Sequence, residues 1–186
     1  MMEPRKRKEQ AKTLRTARKL HRVTGIFLFL FFFVIAITGL LLGWKKQSGL
    51  LPPSAKGTST NPAAWLPVDS LQKKASYYLA EIDKGLSADI DRIDIRPGRG
   101  MVKFVYANHF WELQLDCTTG ALLQASRRNS DIIEKIHDAS LLDYTLETGD
   151  WIKLIYTTIM GLALILFTVT GFWLWYGPKR MRKQGI

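Results

Sequence analysis

The chain has 186 residues, of which 27 are Lys or Arg and 16 are Asp or Glu, so its formal net charge is +11. A single cysteine, Cys117, excludes an intrachain disulfide. A nucleic-acid partner is disfavoured despite the charge, because the basic residues flank hydrophobic segments and are not interleaved with aromatic side chains.

Two long hydrophobic segments dominate the chain. Ile26–Leu42 reads IFLFLFFFVIAITGLLL and contains neither charge nor proline, and Trp151–Tyr176 contains one charge, Lys153. About 20 apolar helical residues cross the hydrocarbon core of a bilayer. The sequence therefore predicts transmembrane helices at residues 23–44 and 151–176, both in contact with the lipid bilayer.

The charges around these segments predict the topology. Nine basic residues precede the first segment, four follow the second, and the stretch between them holds 13 basic and 14 acidic residues. Positive flanks stay inside, so residues 1–22 and 177–186 are predicted to be cytoplasmic tails, and the stretch between the two segments is predicted to face outward. The first segment ends in Gly43-Trp44-Lys45-Lys46 rather than a small-x-small cleavage site, which favours a retained anchor over a removed signal peptide.

The middle of the chain predicts a small α+β domain on the outer side of the membrane. Residues 45–67 have linker composition, Val68–Lys84 has the apolar spacing of an amphipathic helix, and residues 126–150 predict a helical connector with a helix at Asp131–Leu142. Alternating side chains and turn residues predict strands at Ile90–Ile95, Met101–Tyr106 and Phe110–Asp116, followed by a turn back toward Ala121–Leu123. One helix on a small antiparallel sheet would fill residues 68–125.

Several pieces of the chain resemble one family. Residues 111–122 (WELQLDCTTGAL) resemble the last strand and turn of a PepSY domain, and Lys19–Gly25 (KLHRVTG) is similar to the start of the first helix in PepSY-associated transmembrane proteins. Lys135–Asp138 and Thr170–Trp175 resemble the helix that follows the domain in those proteins. The resemblance implies an α+β membrane protein in which two transmembrane helices flank a periplasmic PepSY-like domain. Larger relatives have four or more spans, so this chain resembles a half-unit, which predicts a homodimer or a larger membrane complex.

The resemblance also implies a function. The family includes inner-membrane reductases linked to iron and siderophore uptake, some with b-type haem between their helices. Electrons would pass from a cytoplasmic donor toward a periplasmic ferric chelate, and ferric-siderophore or iron reduction is the implied activity. The sequence itself contains no hydrolase, phosphate-loop or dinucleotide motif, so any reductant would come from a partner.

Two of the three histidines are candidate axial ligands of haem b iron. His21 stands one turn before the apolar core of the first span, with Gly25 and Phe32 on roughly the same helix face. Gly25 would leave space for a flat cofactor and Phe32 would pack on it. The alternative for His21 is a hydrogen bond to lipid phosphate.

His137 is the second candidate, on the apolar side of its helix and 14 residues before Trp151, which suggests a position outside or at the outer membrane surface. Its alternative is a packing role that docks the outer domain. His109 falls in a turn and is expected to be exposed. Because the second span contains no histidine, a homodimer could hold one haem between two copies of His21 and another between two copies of His137. A different partner protein could also supply the missing ligands.

A second function remains open from the residues. The outer domain could be an anchored protein-interaction module that regulates a periplasmic enzyme, or the chain could be a small accessory subunit of a membrane complex. Cofactor content would separate these functions from electron transfer.

Overall fold

The computed structural model describes residues 4–183 and divides the chain into two compact units. The first unit, which we call the helical unit, contains the chain up to Leu40 and from Lys135 onward. The second, the sheet unit, is Leu41–Glu134. Each unit is built from its own set of local patterns.

Two long helices form most of the helical unit. Helix α1 is Pro4–Gly43 and helix α5 is Trp151–Lys183. Only 6% of the most apolar window of α1 and 11% of that of α5 are buried, so neither is the core helix of a soluble domain. Both are long and apolar enough to cross a bilayer. The predicted two-span membrane protein is confirmed in its coarse form.

The sheet unit is one helix on a four-stranded antiparallel sheet, as the predicted fold class requires. Helix α2 is Val68–Ile82, and the strands follow in the spatial order β1-β2-β3-β4. Their bounds are β1 Ile90–Arg96, β2 Met101–Tyr106, β3 Trp111–Asp116 and β4 Leu122–Arg127. The fourth strand extends the predicted three because the turn after β3 closes tightly, with Gly120 at φ 68° and the Asp116 amide bonded to the Ala121 carbonyl.

The hydrophobic core lies between α2 and one face of the sheet. Leu71, Ala75 and Leu79 recur at helical spacing on α2 and are buried. They join a single cluster with inward-facing strand residues. These strand residues are Val102, Phe104, Tyr106, Leu113 and Leu115.

The opposite face of the sheet carries buried polar side chains. Glu112 is fully buried and accepts hydrogen bonds from Lys103 Nζ (3.0 Å) and Gln114 Nε2 (2.7 Å), and Arg128 also pairs with it. The segment before α2 covers this face, because Gln114 bonds the Pro53 carbonyl and the Ala55 amide. Each charge therefore has its partner, as a buried ionic group requires.

Two predicted helices have different bounds in the structure. Helix α2 ends at Ile82 rather than Lys84, since Asp83 adopts an extended backbone. The predicted helix Asp131–Leu142 is two helices, α3 Asn129–His137 and α4 Ser140–Leu146. Ala139 separates them because its left-handed backbone (φ 62°) cannot continue a helix.

Replacing Leu79 with Ala should destabilise the sheet unit by about 2–5 kcal/mol, because this side chain is 1% exposed and its removal leaves a cavity. Hydrogen exchange of the β2 and β3 amides in the full-length protein measures the change. Tyr77→Ala, at a 61% exposed site on the same helix, is the control and should change stability by less than about 0.5 kcal/mol. Equal effects of both variants would contradict the assignment of the core.

Asp116 should make the sheet unit sensitive to acid. Burial raises the pKa of its carboxyl group, but hydrogen bonds from Thr58 and from the amides of Thr118 and Thr119 outweigh burial and hold the pKa below its ordinary value. The stabilisation is therefore present above the unfolded pKa of about 3.9 and is lost as pH falls through the folded pKa. Asp116→Asn should cost about 1–3 kcal/mol at pH 7. Hydrogen exchange measures the free energy of unfolding of both proteins. The difference between Asp116→Asn and the parent should become smaller toward pH 3. A difference that does not change with pH would contradict the prediction.

Candidate cofactor site

Helices α1 and α5 run antiparallel within the helical unit. Leu14 packs against Gly177, where a Cβ atom would lie 2.5 Å from Leu14 Cδ2, and farther along the pair Phe31 meets Tyr156 with ring centroids 6.2 Å apart. We call the end that contains Leu14 and Gly177 the basic end, because Lys and Arg cluster there. The other end, where α1 finishes and α5 begins, is the connector end.

His21 lies near the basic end and contacts α5. Its Nδ1 is 3.0 Å from Thr170 Oγ1, and its ring stacks on Phe167 with centroids 3.8 Å apart and planes 30° apart. Gly171 follows Thr170, and a Cβ there would lie 3.4 Å from His21 Cε1. A methyl group at position 171 would therefore make an ordinary van der Waals contact with the imidazole.

His137 lies near the connector end and contacts α1. Its Nδ1 is 2.8 Å from Thr38 Oγ1, and a Cβ on Gly39 would lie 3.5 Å from His137 Cε1. The ring is therefore level with Thr38, inside the hydrophobic segment of α1. This is deeper than the separation of His137 from Trp151 along the chain suggests.

The two histidines thus share one kind of contact. Each meets a Thr-Gly dipeptide on a different element, and each threonine hydroxyl also donates to the carbonyl four residues earlier, from Thr38 to Val34 O and from Thr170 to Leu166 O, both at 2.7 Å. A hydroxyl has one hydrogen, so it accepts from the imidazole if both contacts are hydrogen bonds. The hydrogen of each neutral imidazole is then on Nδ1, and Nε2 carries the lone pair.

The Nε2 atoms of His21 and His137 have no hydrogen-bond partner among residues 4–183. Threonines 38 and 170 are 7% and 6% exposed, so they hold the imidazoles from a buried position. An oriented Nε2 lone pair is the donor that haem iron takes from histidine. No cluster of three or more His, Cys, Asp or Glu suited to a bare metal ion occurs in the described chain.

A groove along the helix pair borders His137. It measures about 560 Å³, within the range of about 300–1,000 Å³ of small-molecule sites. Its walls are mostly apolar, and small residues at Ala36 and Gly161 widen it. Such a groove suits a flat apolar cofactor that carries one polar edge.

The other two predicted site residues lie between the histidines. Phe32 lines the groove and contacts Phe167, with ring centroids 5.7 Å apart. Gly25 faces Phe167 as well, and a Cβ at Gly25 would lie 3.1 Å from Phe167 Cε2. The space beside Gly25 is therefore taken by this phenylalanine, which in turn supports the His21 ring.

The separation of the two histidines follows from the helix they share. Residues 21 and 38 of α1 are about 25 Å apart at about 1.5 Å per residue. His21 and His137 therefore lie toward opposite ends of the helix pair. They are not brought together on one ligand within a single chain. His109 belongs to the sheet unit, where its Nε2 lies 2.9 Å from the Ser87 carbonyl.

The connector between α3 and α5 fixes the position of His137. The Asp143 carboxylate accepts hydrogen bonds from the amides of Ile152 (2.9 Å) and Lys153 (2.7 Å), so it caps α5. Burial raises the Asp143 pKa, but these bonds and one from Thr148 outweigh burial and lower it. Asp138 pairs with Lys153 Nζ at 2.9 Å. Both acids therefore bond to residues of the connector and of α5 rather than to His137.

Thr38, Thr170 and Phe167 are the neighbours of the histidines that sequence reasoning missed. The two threonine contacts join residues 99 and 149 positions apart, and Phe167 is equally remote from His21 along the chain, which periodicity does not reveal. The available signal was a Thr-Gly dipeptide in each hydrophobic segment, at 38–39 and 170–171.

One protein-family model matches most of this chain. The family model described as the PepSY-associated TM region matches residues 18–185, which is most of the chain and includes both histidine sites and the whole sheet unit. The chain belongs to the PepSY-associated transmembrane family. Neither a curated protein nor a solved structure matches it. The resemblance noted in the sequence is therefore confirmed for this PepSY-associated transmembrane protein, together with its membrane character.

Thr38→Val should change the tautomer of His137 in this PepSY-associated protein, since valine keeps the volume but cannot accept from Nδ1–H. Loss of one hydrogen bond worth about 0.5–1.5 kcal/mol should shift the ratio of Nδ1–H to Nε2–H forms by about 2- to 10-fold. Nitrogen-15 NMR of histidine-labelled protein measures the ratio. Thr38→Ser should retain the parent ratio, and a valine variant that also retains it would argue against the threonine contact.

Proposed function

We propose that this chain is a b-type haem electron-transfer protein of the bacterial inner membrane, which passes electrons outward to a periplasmic acceptor such as a ferric chelate. The observation that carries the proposal is a pair of histidines, His21 on α1 and His137 at the end of α3. Each has Nδ1 bonded to a threonine of a long apolar helix and Nε2 without a hydrogen-bond partner among residues 4–183. A polar side chain inside a membrane segment is costly and is usually functional.

The residues around the histidines fit haem. The candidate iron ligands are two imidazoles of fixed orientation, and histidine imidazole is a common axial ligand of haem iron. Beside each ring stands a glycine, Gly39 or Gly171, that leaves little side-chain bulk near the imidazole. When bound, haem would supply one-electron reduction and oxidation. The threonines would keep each Nε2 directed away from its Thr-Gly contact, and Phe32 would form part of the apolar wall.

Orientation of the chain rests on charge. Most Lys and Arg residues of the helical unit lie at the basic end of both helices, and only Lys135 and Lys153 of that unit lie at the connector end. The positive-inside rule supports a cytoplasmic location for this end. His21 would then be near the cytoplasm, His137 nearer the periplasm, and the sheet unit periplasmic. Electrons would then pass from a donor on the cytoplasmic side, through the His21 and His137 levels, to an acceptor on the outer side.

A second copy of the chain would complete each haem site. One chain offers a single histidine at each level, because the levels are separated by about 25 Å of helix. Two copies would form a four-helix bundle, a scaffold that places cofactors between facing helices. The groove beside His137 would be closed by the same association. We therefore propose a homodimer with two haems stacked along the membrane normal.

The oxidised-minus-reduced visible spectrum of the purified protein in mild detergent tests the proposal. A b-type α-band is expected. His21→Ala and His137→Ala should each lose about half of the haem, or all of it if the sites depend on each other, because each removes one level of ligands. His109→Ala is the matched control and should keep the full haem content, since His109 lies in the sheet unit.

A colourless protein expressed with ample haem would overturn this function. The anchored interaction module or accessory subunit would then be the better description, and capture of a periplasmic or membrane partner would be measured next. Full haem content in both His21→Ala and His137→Ala would instead contradict the ligand assignment while leaving haem binding intact.

A further inference from the structure

Strand β1 is one edge of the sheet. Strand β2 pairs with one of its sides, and no segment among residues 4–183 pairs with the other. From Asp91 to Arg96 every residue is exposed except Asp94, which is half-buried. The backbone N–H and C=O groups along this unpaired side, which we call the β1 edge, can therefore bond to a further strand.

The apolar side chains of β1 are only partly covered. Ile93 pairs with Phe104 and Ile95 with Val102, so both isoleucines lie on the face of the sheet that carries the hydrophobic core. Neither belongs to the core cluster, and they are 37% and 39% exposed. A further strand at the β1 edge would cover more of this apolar surface.

The charges of β1 change sign across Ile93, since Arg92 precedes it and Asp94 follows it. In an antiparallel pair of two copies centred on Ile93, each Arg92 would stand opposite the Asp94 of the other copy, and Ile93 would stand opposite its own copy. Opposite charges at facing positions stabilise a pair of strands, whereas like charges there destabilise it. The irregular step between Ile90 and Arg92 lies outside these three pairs.

Other registers of the same pairing are less favourable. A ladder centred on Arg92 or on Asp94 would set a charge against its own copy. A ladder centred on Ile95 would pair Asp94 with Arg96, but it would stop at Pro97, which has no backbone N–H. The register centred on Ile93 is therefore the one that combines opposite charges with a full strand.

The charged side chains of β1 can change partners at low cost. Arg92 now pairs with Asp91 at 2.8 Å and with Asp131 at 3.5 Å, and Arg96 pairs with Asp94 at 2.6 Å. The side chains of Arg92 and Asp94 are 50% and 33% exposed. Ion pairs in contact with water contribute little stability, so a second copy can replace these partners.

We propose that the β1 edge pairs with the β1 edge of a second copy of this chain, in the antiparallel register centred on Ile93. This interface rests on the homodimer of the proposed function and names the surface that joins its two sheet units, but it does not require haem. Membrane helices confine both copies to one bilayer, which raises their effective concentration and allows a short ladder to form. The opposite edge strand, β4, has a single charge, Arg127, and offers no complementary pair.

Cysteine crosslinking of the full-length protein in lipid nanodiscs tests the register. In Ile93→Cys the two cysteines would face each other at the Cα separation of about 5 Å that a disulfide needs. Ile95→Cys is the matched control, because it has the same face and nearly the same exposure, but its two copies would be about 13 Å apart along the ladder. Mild oxidation should crosslink Ile93→Cys at least about 10-fold faster than Ile95→Cys. The native Cys117 is 1% exposed and should not react.

Charge exchange in the Ile93→Cys protein tests the pairing a second way. Arg92→Asp gives a copy two acids at the facing positions, and Asp94→Arg gives it two bases. Each variant alone should crosslink about 10-fold more slowly than Ile93→Cys, because both facing pairs become like charges. When the two variants are co-expressed with different tags, they should crosslink to each other at the original rate, which a loss of folding cannot produce.

Equal crosslinking of Ile93→Cys and Ile95→Cys, or faster crosslinking of Ile95→Cys, would overturn the proposed interface. A crosslink to a different protein in place of the second copy would do the same, as would mixed charge variants that crosslink no faster than either one alone. The visible spectrum of each sample separates this result from the haem function. A red protein without the Ile93→Cys crosslink loses only the β1 interface, and a colourless protein with that crosslink loses only the haem function.

Discussion

Two threonine hydroxyls hold the helical unit in its chemically useful arrangement. In an apolar surrounding an unpaired imidazole N–H is costly, and hydrogen bonds between elements are among the few polar forces that act between membrane helices. Thr170 meets this need for His21 and Thr38 meets it for His137. Each contact satisfies one ring nitrogen and leaves the other without a partner among the described residues, so the same bond serves packing and would orient the imidazole for the proposed ligand.

The rest of the helical unit supports these two contacts. Phe167 stacks on His21, and Gly25 makes room for that phenylalanine. At the connector end, Asp143 caps α5 and holds the turn that returns the chain to α1. Three non-glycine residues of the connector have left-handed backbones, Ala139, Glu147 and Asp150, with φ between 52° and 67°. Such conformations persist only where the surrounding structure requires them.

The sheet unit is stabilised differently, by an apolar core on one face of the sheet and a buried ionic cluster on the other. Glu112 is surrounded by Lys103, Gln114 and Arg128, which leaves none of these charges without a partner. The cluster also fixes the segment before α2, since Gln114 bonds Pro53 and Ala55. Nothing in this unit resembles the histidine sites, so the proposed redox chemistry belongs to the helical unit alone.

Local patterns in the sequence determined the two membrane helices, the α2 helix and the first three strands, because hydrophobic runs and periodicities act over neighbouring residues. Such patterns also pointed to His21, His137 and Phe32 as candidate cofactor-binding residues. Tertiary structure alone decided which residues meet those histidines, since Thr38 and Thr170 are far from their partners along the chain. It also decided that His137 meets α1 at Thr38, within the hydrophobic segment, and that the chain turns at Ala139, whose left-handed backbone no local propensity favours. Contacts between distant segments arise from packing and hydrogen bonding across helices. The periodicity of apolar residues along the sequence reflects only neighbouring residues and cannot predict such contacts.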